Sequence, residues 1–287
     1  YRHAAGSDRI LRPLPLVSRL LAALLVLGAT ACSGGAAPAS ADPLAGVYRV
    51  GGGDAAIANV QALAEAFSAK HAGVKFTYDT SLGSDGGVNL AAQRELDLGM
   101  ASRELAPGEA QLVDYVLVGV AGTGLLVHQS NTLTDLSSEQ VRSIYAGRVI
   151  DWTSIGLSKQ LPILPLVREK GSSARATFEG YFFAGKPAYG GGVLEIQGGD
   201  QIRQAVAFQP GAIGMIGVTG DDAVPSGTHL MTIDGVWPTK SALRDGTYKL
   251  RRPLYLVYPR SGEQRPAIVQ FLEFVRSAEG QRIIDRF

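Results

Sequence analysis

Three observations predict an α/β fold. Short apolar runs rich in β-branched residues recur along the chain. Most of them turn directly, through glycine or serine, into stretches with apolar residues at helical spacing. Glycine is abundant, at 36 of 287 residues, as many tight strand–helix turns require. Strands separated by helices need crossover connections, and crossovers make a largely parallel sheet covered by helices.

The elements follow in order. Val47–Val50 is a strand, and Gly51-Gly52-Gly53-Asp54 turns it into a helix with Ile57, Val60, Leu63 and Phe67 on one face. Gly73 lies beyond that helix as a stop, and Val74–Tyr78 is the next strand. A second glycine-rich turn, Ser81–Gly87, leads to a helix over Val88–Arg94. Leu96–Met100 is a strand with Ala101-Ser102-Arg103 as its exit, and Tyr115–Val120 and Gly124–Val127 are two further strands. Ser137 with Gln140 three residues on reads as a capping box, and Gly147 ends that helix. Leu161–Val167 reads as a strand weakened by Pro162 and Pro165. It passes through Arg168–Ser173 into a helix over Ala174–Phe183, with Gly185 as its left-handed stop. Asp200 caps a helix through Phe208, Gly211–Gly217 is a buried strand, and Leu254–Tyr258 is another. Pro266 opens a final helix with Ile268, Phe271, Leu272 and Val275 on one face.

The segment before this body has the layout of an export signal. Arg2, Arg9, Arg12 and Arg19 form a basic leader, and Leu20–Leu27 is an apolar run too short to span a membrane. Gly28-Ala29-Thr30-Ala31-Cys32 then resembles the lipobox of bacterial lipoproteins, in which the cysteine carries the lipid; Ala29 stands where that pattern usually has Leu. The expected organisation is a lipoprotein signal peptide over 1–32 with Cys32 as the lipid attachment, then a flexible tether over 33–43. A plain cleaved signal with an incidental cysteine is the alternative.

Composition excludes several functions. With 27 basic and 26 acidic residues the net charge is +1, and no basic stripe marks a nucleic-acid binder. A single cysteine rules out an internal disulfide, and His3, His71, His128 and His229 have no metal-ligand spacing. Neither a metal nor a cofactor is expected. Four strand exits do carry anion-suited residues: Gly51–Asp54, Gly83–Gly87, Ala101–Arg103 and Arg168–Arg175. At each, a turn into a helix leaves backbone N–H groups and the positive end of the helix dipole available to an anion. Ser172 and Ser173 add hydroxyls and Arg168 a two-pronged cation. Alone, the last turn reads more readily as an ordinary serine N-cap beside a solvated arginine, because serine is so common there. Four such turns at strand ends point to one shared site.

Several stretches together resemble the phosphate-binding protein of the high-affinity phosphate ABC importers: Leu96–Leu105, Val141–Gly147 with Asp151-Trp152, Arg168–Arg175, Gly211–Gly214 and Arg252–Tyr255. The likeness covers about residues 46–287. It implies a two-lobed periplasmic-binding-protein-like fold of type II, with one lobe over 44–125 plus 249–287, the other over 126–248, and a ligand cleft between them. It implies that Ser84 and Ser172 give hydroxyl donors, that Arg168 pairs with phosphate, and that Ser173 and Ala174 give backbone N–H groups. Asp54, Ala55, Ser102 and Arg103 complete the expected ligand-binding set. Three positions depart from the family pattern: Asp54 replaces a Thr, Arg103 stands where a proton-accepting carboxylate falls, and Ala174 replaces a Thr. Two roles fit Asp54, as that carboxylate or as a helix cap paired with Arg103. Starting at Tyr rather than Met, and stopping at Phe287 slightly short of the family's usual end, the chain is expected to lack residues at both termini.

The resemblance implies an extracytoplasmic, lipid-anchored solute-binding protein of the bacterial cell envelope. It would capture phosphate, or a similar tetrahedral oxyanion, for an ABC permease without chemistry on the ligand. The alternatives are an oxyanion-binding sensory module and a secreted hydrolase using Ser173 or Ser84. The hydrolase lacks a Gly-x-Ser-x-Gly turn, and no histidine flanks either serine. Trp152, Trp237 and the tyrosines are expected in packing roles, Arg251-Arg252 as a solvated strand start, Glu104 and Glu169 as partners of nearby arginines, and Arg175 as a loop brace.

Overall fold

The computed structural model describes residues 42–287; the signal segment, Cys32 and most of the tether lie outside the described residues. Eleven strands, nine α-helices and two short 3-10 helices, over Asp54–Ala56 and Trp152–Ile155, make up the described chain. Through the first half they run β1 (Gly46–Gly52), α1 (Ile57–Ser68), β2 (Val74–Asp79), α2 (Gly83–Ala92), β3 (Leu98–Ala101), α3 (Glu109–Leu112), β4 (Val113–His128), β5 (Asp135–Leu136) and α4 (Ser138–Tyr145). The second half continues with β6 (Leu164–Arg168), α5 (Ser173–Phe183), β7 (Leu194–Ile196), α6 (Gly199–Phe208), β8 (Ala212–Val218), β9 (Thr228–Leu230), β10 (Thr232–Ile233), α7 (Lys240–Asp245), β11 (Arg251–Pro259), α8 (Pro266–Arg276) and α9 (Ala278–Ile284).

One sheet runs β2-β1-β3-β11-β4-β8-β6-β7, with β9 also on β4. β1 pairs in parallel with β2 and β3, and β6 with β7 and β8, whereas β11 and β4 are antiparallel to their neighbours. β4 and β11 are the strands that join the two halves, and β4 is shared between them as a pairing partner. Its first part, Val113–Gly122, pairs with β11, and its second part, Gly122–Val127, pairs with β8. The fold is two-lobed and periplasmic-binding-protein-like, as expected.

Each half has its own core. In the first, Val60, Leu63 and Phe67 of α1 and Phe271, Leu272 and Val275 of α8 pack on Val50, Leu98, Val118 and Leu256 of the sheet. On the opposite face, Val88 and Ala91 of α2 pack against Ala101, Val113 and Val257. The second core gathers Tyr145, Trp152, Phe178 and Phe182 against Leu125, Val127 and Val167, while Ile202 and Val206 of α6 cover Leu126, Leu166 and Ile216 on the other face. Helices on both faces keep the parallel strands from water.

Several boundaries differ from the sequence reading. α2 begins at Gly83 rather than Val88, so the glycine-rich turn is itself the first helical turn. The two strands expected at Tyr115–Val120 and Gly124–Val127 are one continuous β4. Asp200 lies inside the first turn of α6, whose N-cap is Gly198. Pro165 sits within β6, where β8 is its only strand partner because β7 pairs from Leu166 onward. An edge-like position of this kind tolerates the missing N–H. The capping box at Ser137 and Gln140 is present.

Candidate functional site

A cleft of about 660 Å³ opens where the strand exits of the two halves meet. Four helix starts point into it. Gly53, Asp54 and Ala55 come from the short 3-10 helix before α1; Gly83 and Ser84 from α2; Ser172, Ser173 and Ala174 from α5; Gly199 and Asp200 from α6. Ligands of open α/β sheets collect at such carboxyl-end crevices because the helices there present free donors. At the first, second and fourth of these starts no side chain caps the helix, so first-turn N–H groups stay available.

α2 reaches the cleft because its glycines let it lie close to the sheet. A Cβ on Gly87 would stand 2.7 Å from the Gly51 carbonyl oxygen and the Met100 oxygen, and one on Gly99 only 2.3 Å from the Gly87 oxygen. Ser84, half-buried in this turn, accepts a hydrogen bond at its Oγ from the Ser102 backbone N–H at 2.9 Å. Its own proton is thereby turned away from Ser102 and free to be donated. Ser102 itself stands behind Ser84, fully buried, with no partner for its Oγ.

At the opposite wall Ser172 is the N-cap of α5, and its Oγ accepts from the Arg175 N–H at 3.4 Å. The capping and donating readings of this serine are compatible, since the hydroxyl proton remains unspent. Arg168, at the end of β6, gives Nε and Nη2 to the two oxygens of Glu169 at 2.9 and 2.7 Å, which leaves Nη1 uncommitted. Glu169 also accepts from the Gly198 N–H, and its bond from Arg168 holds its pKa down to about 2. Arg175 braces the loop from beneath: it donates to Glu179 and Glu195 at 2.6 Å and to the Arg168 carbonyl at 2.8 Å.

Of the nine expected ligand-binding residues, Asp54, Ala55, Ser84, Arg168, Ser172, Ser173 and Ala174 line the cleft, whereas Ser102 and Arg103 do not. Arg103 borders an adjoining cavity on the far side of Ser84. Its fork is spent on Asp85 (3.0 and 2.6 Å), on both oxygens of Glu109 (2.7 Å each) and on the Glu104 carbonyl. The pairing of Arg103 with Asp54, one of the two roles open to Asp54, is therefore not made, because Asp85 and Glu109 already neutralise that arginine. Nor is Asp54 the N-cap, a position held by Gly53; its exposed carboxylate forms no ion pair among the described residues. Glu104 accepts from the Tyr255 hydroxyl at 3.1 Å rather than orienting Arg103 through its side chain.

The sequence reading missed Lys170, Arg203 and above all Arg252. Arg252 was expected to be solvated, yet it is 5% exposed and lines the cleft floor. Arg251 beside it is exposed and borders a different cavity. The period of two along a strand sends adjacent residues to opposite faces, and that was the available signal. Burial pulls the Arg252 pKa down to about 10, with the Asp54 charge opposing the fall and Arg168 adding to it. The cleft lining carries Arg168, Lys170, Arg203 and Arg252 against Asp54, Glu169 and Asp200, a balance that favours an anionic guest. No cluster of His, Cys, Asp and Glu suited to a metal exists among the described residues, and none of their helices is long and apolar enough to cross a membrane.

A two-lobed α/β body with an anion-suited cleft between its halves is the architecture of a solute-binding protein, and over residues 37–279 the chain matches, and belongs to, the PBP superfamily domain family. The phosphate-binding protein PstS of Bacillus subtilis is 29% identical over 179 residues, covering 60% of this chain. That match spans 55% of the relative, so the chain aligns with about half the length of this curated protein. A solved Clostridium perfringens structure, described as a phosphate ABC transporter substrate-binding protein with bound phosphate, is 27% identical with a TM-score of 0.71, covering 84% of this chain and 97% of that one. An ABC-type phosphate transport receptor from Vibrio cholerae has the same fold, with a TM-score of 0.70 at 22% identity over 83% of this chain and 97% of that one.

Proposed function

We propose that this protein is an extracytoplasmic solute-binding protein that captures phosphate between its lobes for an ABC permease. The observation that carries the reading is the convergence of four helix starts on one cleft that also holds Arg168 and a serine hydroxyl whose proton is free. Such donors satisfy a tetrahedral oxyanion from several sides at once, and the positive helix ends favour its charge. The phosphate-binding names of the relatives support the same ligand. The ligand-binding set is Asp54, Ala55, Ser84, Arg168, Ser172, Ser173 and Ala174, with Ser102 and Arg103 holding the Ser84 turn in place. The lobes are 44–125 plus 249–287 and 126–248, and closure of one on the other is the state a permease reads.

Cys32 is the lipid attachment in this reading, which keeps the protein at the outer face of a membrane. Among the described residues no histidine lines the cleft beside Ser84 or Ser173, and the proposed role is binding without a chemical step. Equilibrium dialysis with radiolabelled phosphate tests the reading. The wild-type chain is expected to retain phosphate, and Arg168→Ala to lose roughly 2–5 kcal/mol of binding, as the loss of one partner of a buried charged pair costs. No retention by the wild-type chain, or equal retention by the variant, would contradict it.

A further inference from the structure

Arg252 is the one arginine lining the cleft that forms no ion pair among the described residues; Arg168 has Glu169 and Arg203 has Asp200. Taking a guanidinium out of water without a carboxylate is costly, so a buried, unpaired arginine calls for a partner from elsewhere. Its hydrogen bonding is half complete. Nη1 donates to the Gly122 carbonyl at 2.8 Å and to Thr123 Oγ1 at 3.2 Å, both on β4. Thr123 Oγ1 in turn donates to the Ala174 carbonyl at 2.9 Å, in the first turn of α5. Nε, by contrast, is buried and has no partner. Gly217 lines the cleft beside it, and a Cβ there would stand 3.4 Å from Nη2, so the absent side chain keeps that nitrogen's surroundings open.

We propose that Arg252 is a second anion-receiving arginine at the floor of the cleft, one that ties the bound oxyanion to β4 and β11, the strands that join the two halves. The inference rests on the oxyanion reading of the same cleft. Nη1 is committed to the protein and Nε is enclosed; Nη2, beside Gly217 at the cleft lining, is the nitrogen placed to donate to an oxyanion. The relay from Arg252 through Thr123 to Ala174 places the β4–β11 junction in contact with the α5 turn. An anion held by both therefore bridges groups carried on the two halves. Asp54 lines the same cleft and acts on Arg252 through its charge without an ion pair.

The test compares Arg252→Met and Arg252→Lys with the wild-type full chain, by equilibrium dialysis with radiolabelled phosphate and by melting with and without phosphate. A ligand role is expected to cut affinity about 30-fold or more in Arg252→Met and to shrink the phosphate-induced rise in melting temperature. Arg252→Lys keeps the charge but lacks the planar guanidinium that spans β4 through Nη1 and the cleft through Nη2; it is expected to lose about tenfold or more, and it carries the test if Arg252→Met does not fold. A purely structural arginine gives a different pattern: the variants melt lower without phosphate, yet bind it as the wild type does. That pattern overturns the inference and leaves the oxyanion reading standing. A wild-type chain that binds no phosphate overturns both.

Discussion

Ser84 and Asp54 face the same cleft with opposite hydrogen-bonding capacities. The serine has a proton to give once Ser102 has filled its lone pair, whereas an ionised carboxylate can only accept. In the proposed site this pair sorts ligands by protonation. Phosphate that retains a proton satisfies Asp54, while sulfate presents only lone pairs to it and is repelled. Asp54→Asn, whose amide can donate, is expected to narrow the preference for phosphate over sulfate by about tenfold or more, read by competition dialysis. The sign of the pH dependence follows from the same argument. Raising the pH until phosphate loses its last proton weakens binding to the wild type and leaves the variant less affected. An unchanged phosphate-to-sulfate ratio in the variant would remove Asp54 from the choice of ligand. Residues of this kind were partly legible in the sequence. Arg168 and Ser172 were singled out by turn chemistry at a strand end, and Ser84 by the family resemblance. Arg252 was not, because the doublet Arg251-Arg252 read as a solvated pair until the strand separated its members, one into the cleft and one out.

At the scale of elements, the site depends on how near α2 lies to β3. Gly87 and Gly99 form that contact, where backbone meets backbone without an intervening side chain. Gly99→Ala would place a methyl 2.3 Å from the Gly87 carbonyl oxygen, and neither partner is a flexible side chain that could yield. The expected cost is roughly 1–3 kcal/mol of stability in urea unfolding, as for other overpacked contacts, with weaker phosphate binding because Ser84 moves with the helix. Wild-type stability in this variant would show that α2 is not held by the close approach. Long amphipathic elements such as α1 and α8 were readable from periodicity alone. The two- and three-residue strands β5, β7, β9 and β10 were not, since they are too short to show a period of two. β4 was split because Gly119, Gly122 and Gly124 interrupt its apolar pattern; there the strand passes from one core to the other and exchanges β11 for β8 as a partner.

For the whole molecule, composition carried less than topology. A net charge of +1 conceals a cleft whose lining has more cations than carboxylates, because the rest of the charge is spread elsewhere. Two separate cores joined through β4 and β11 allow each half to move as a body while the join bends. The cleft, at about 660 Å³, is far roomier than a single tetrahedral anion needs, so capture in this account goes with closure and with exclusion of water. The two-core division could be anticipated from sequence only through family resemblance; periodicity locates faces but does not say which helices share a core. Calorimetric titration of the full chain with phosphate, and then with sulfate at the same neutral pH, tests the central claim most directly. The account expects saturable one-to-one binding of phosphate and little or no heat from sulfate. Equal binding of both would contradict selection by Asp54, and no heat from either would contradict oxyanion capture itself.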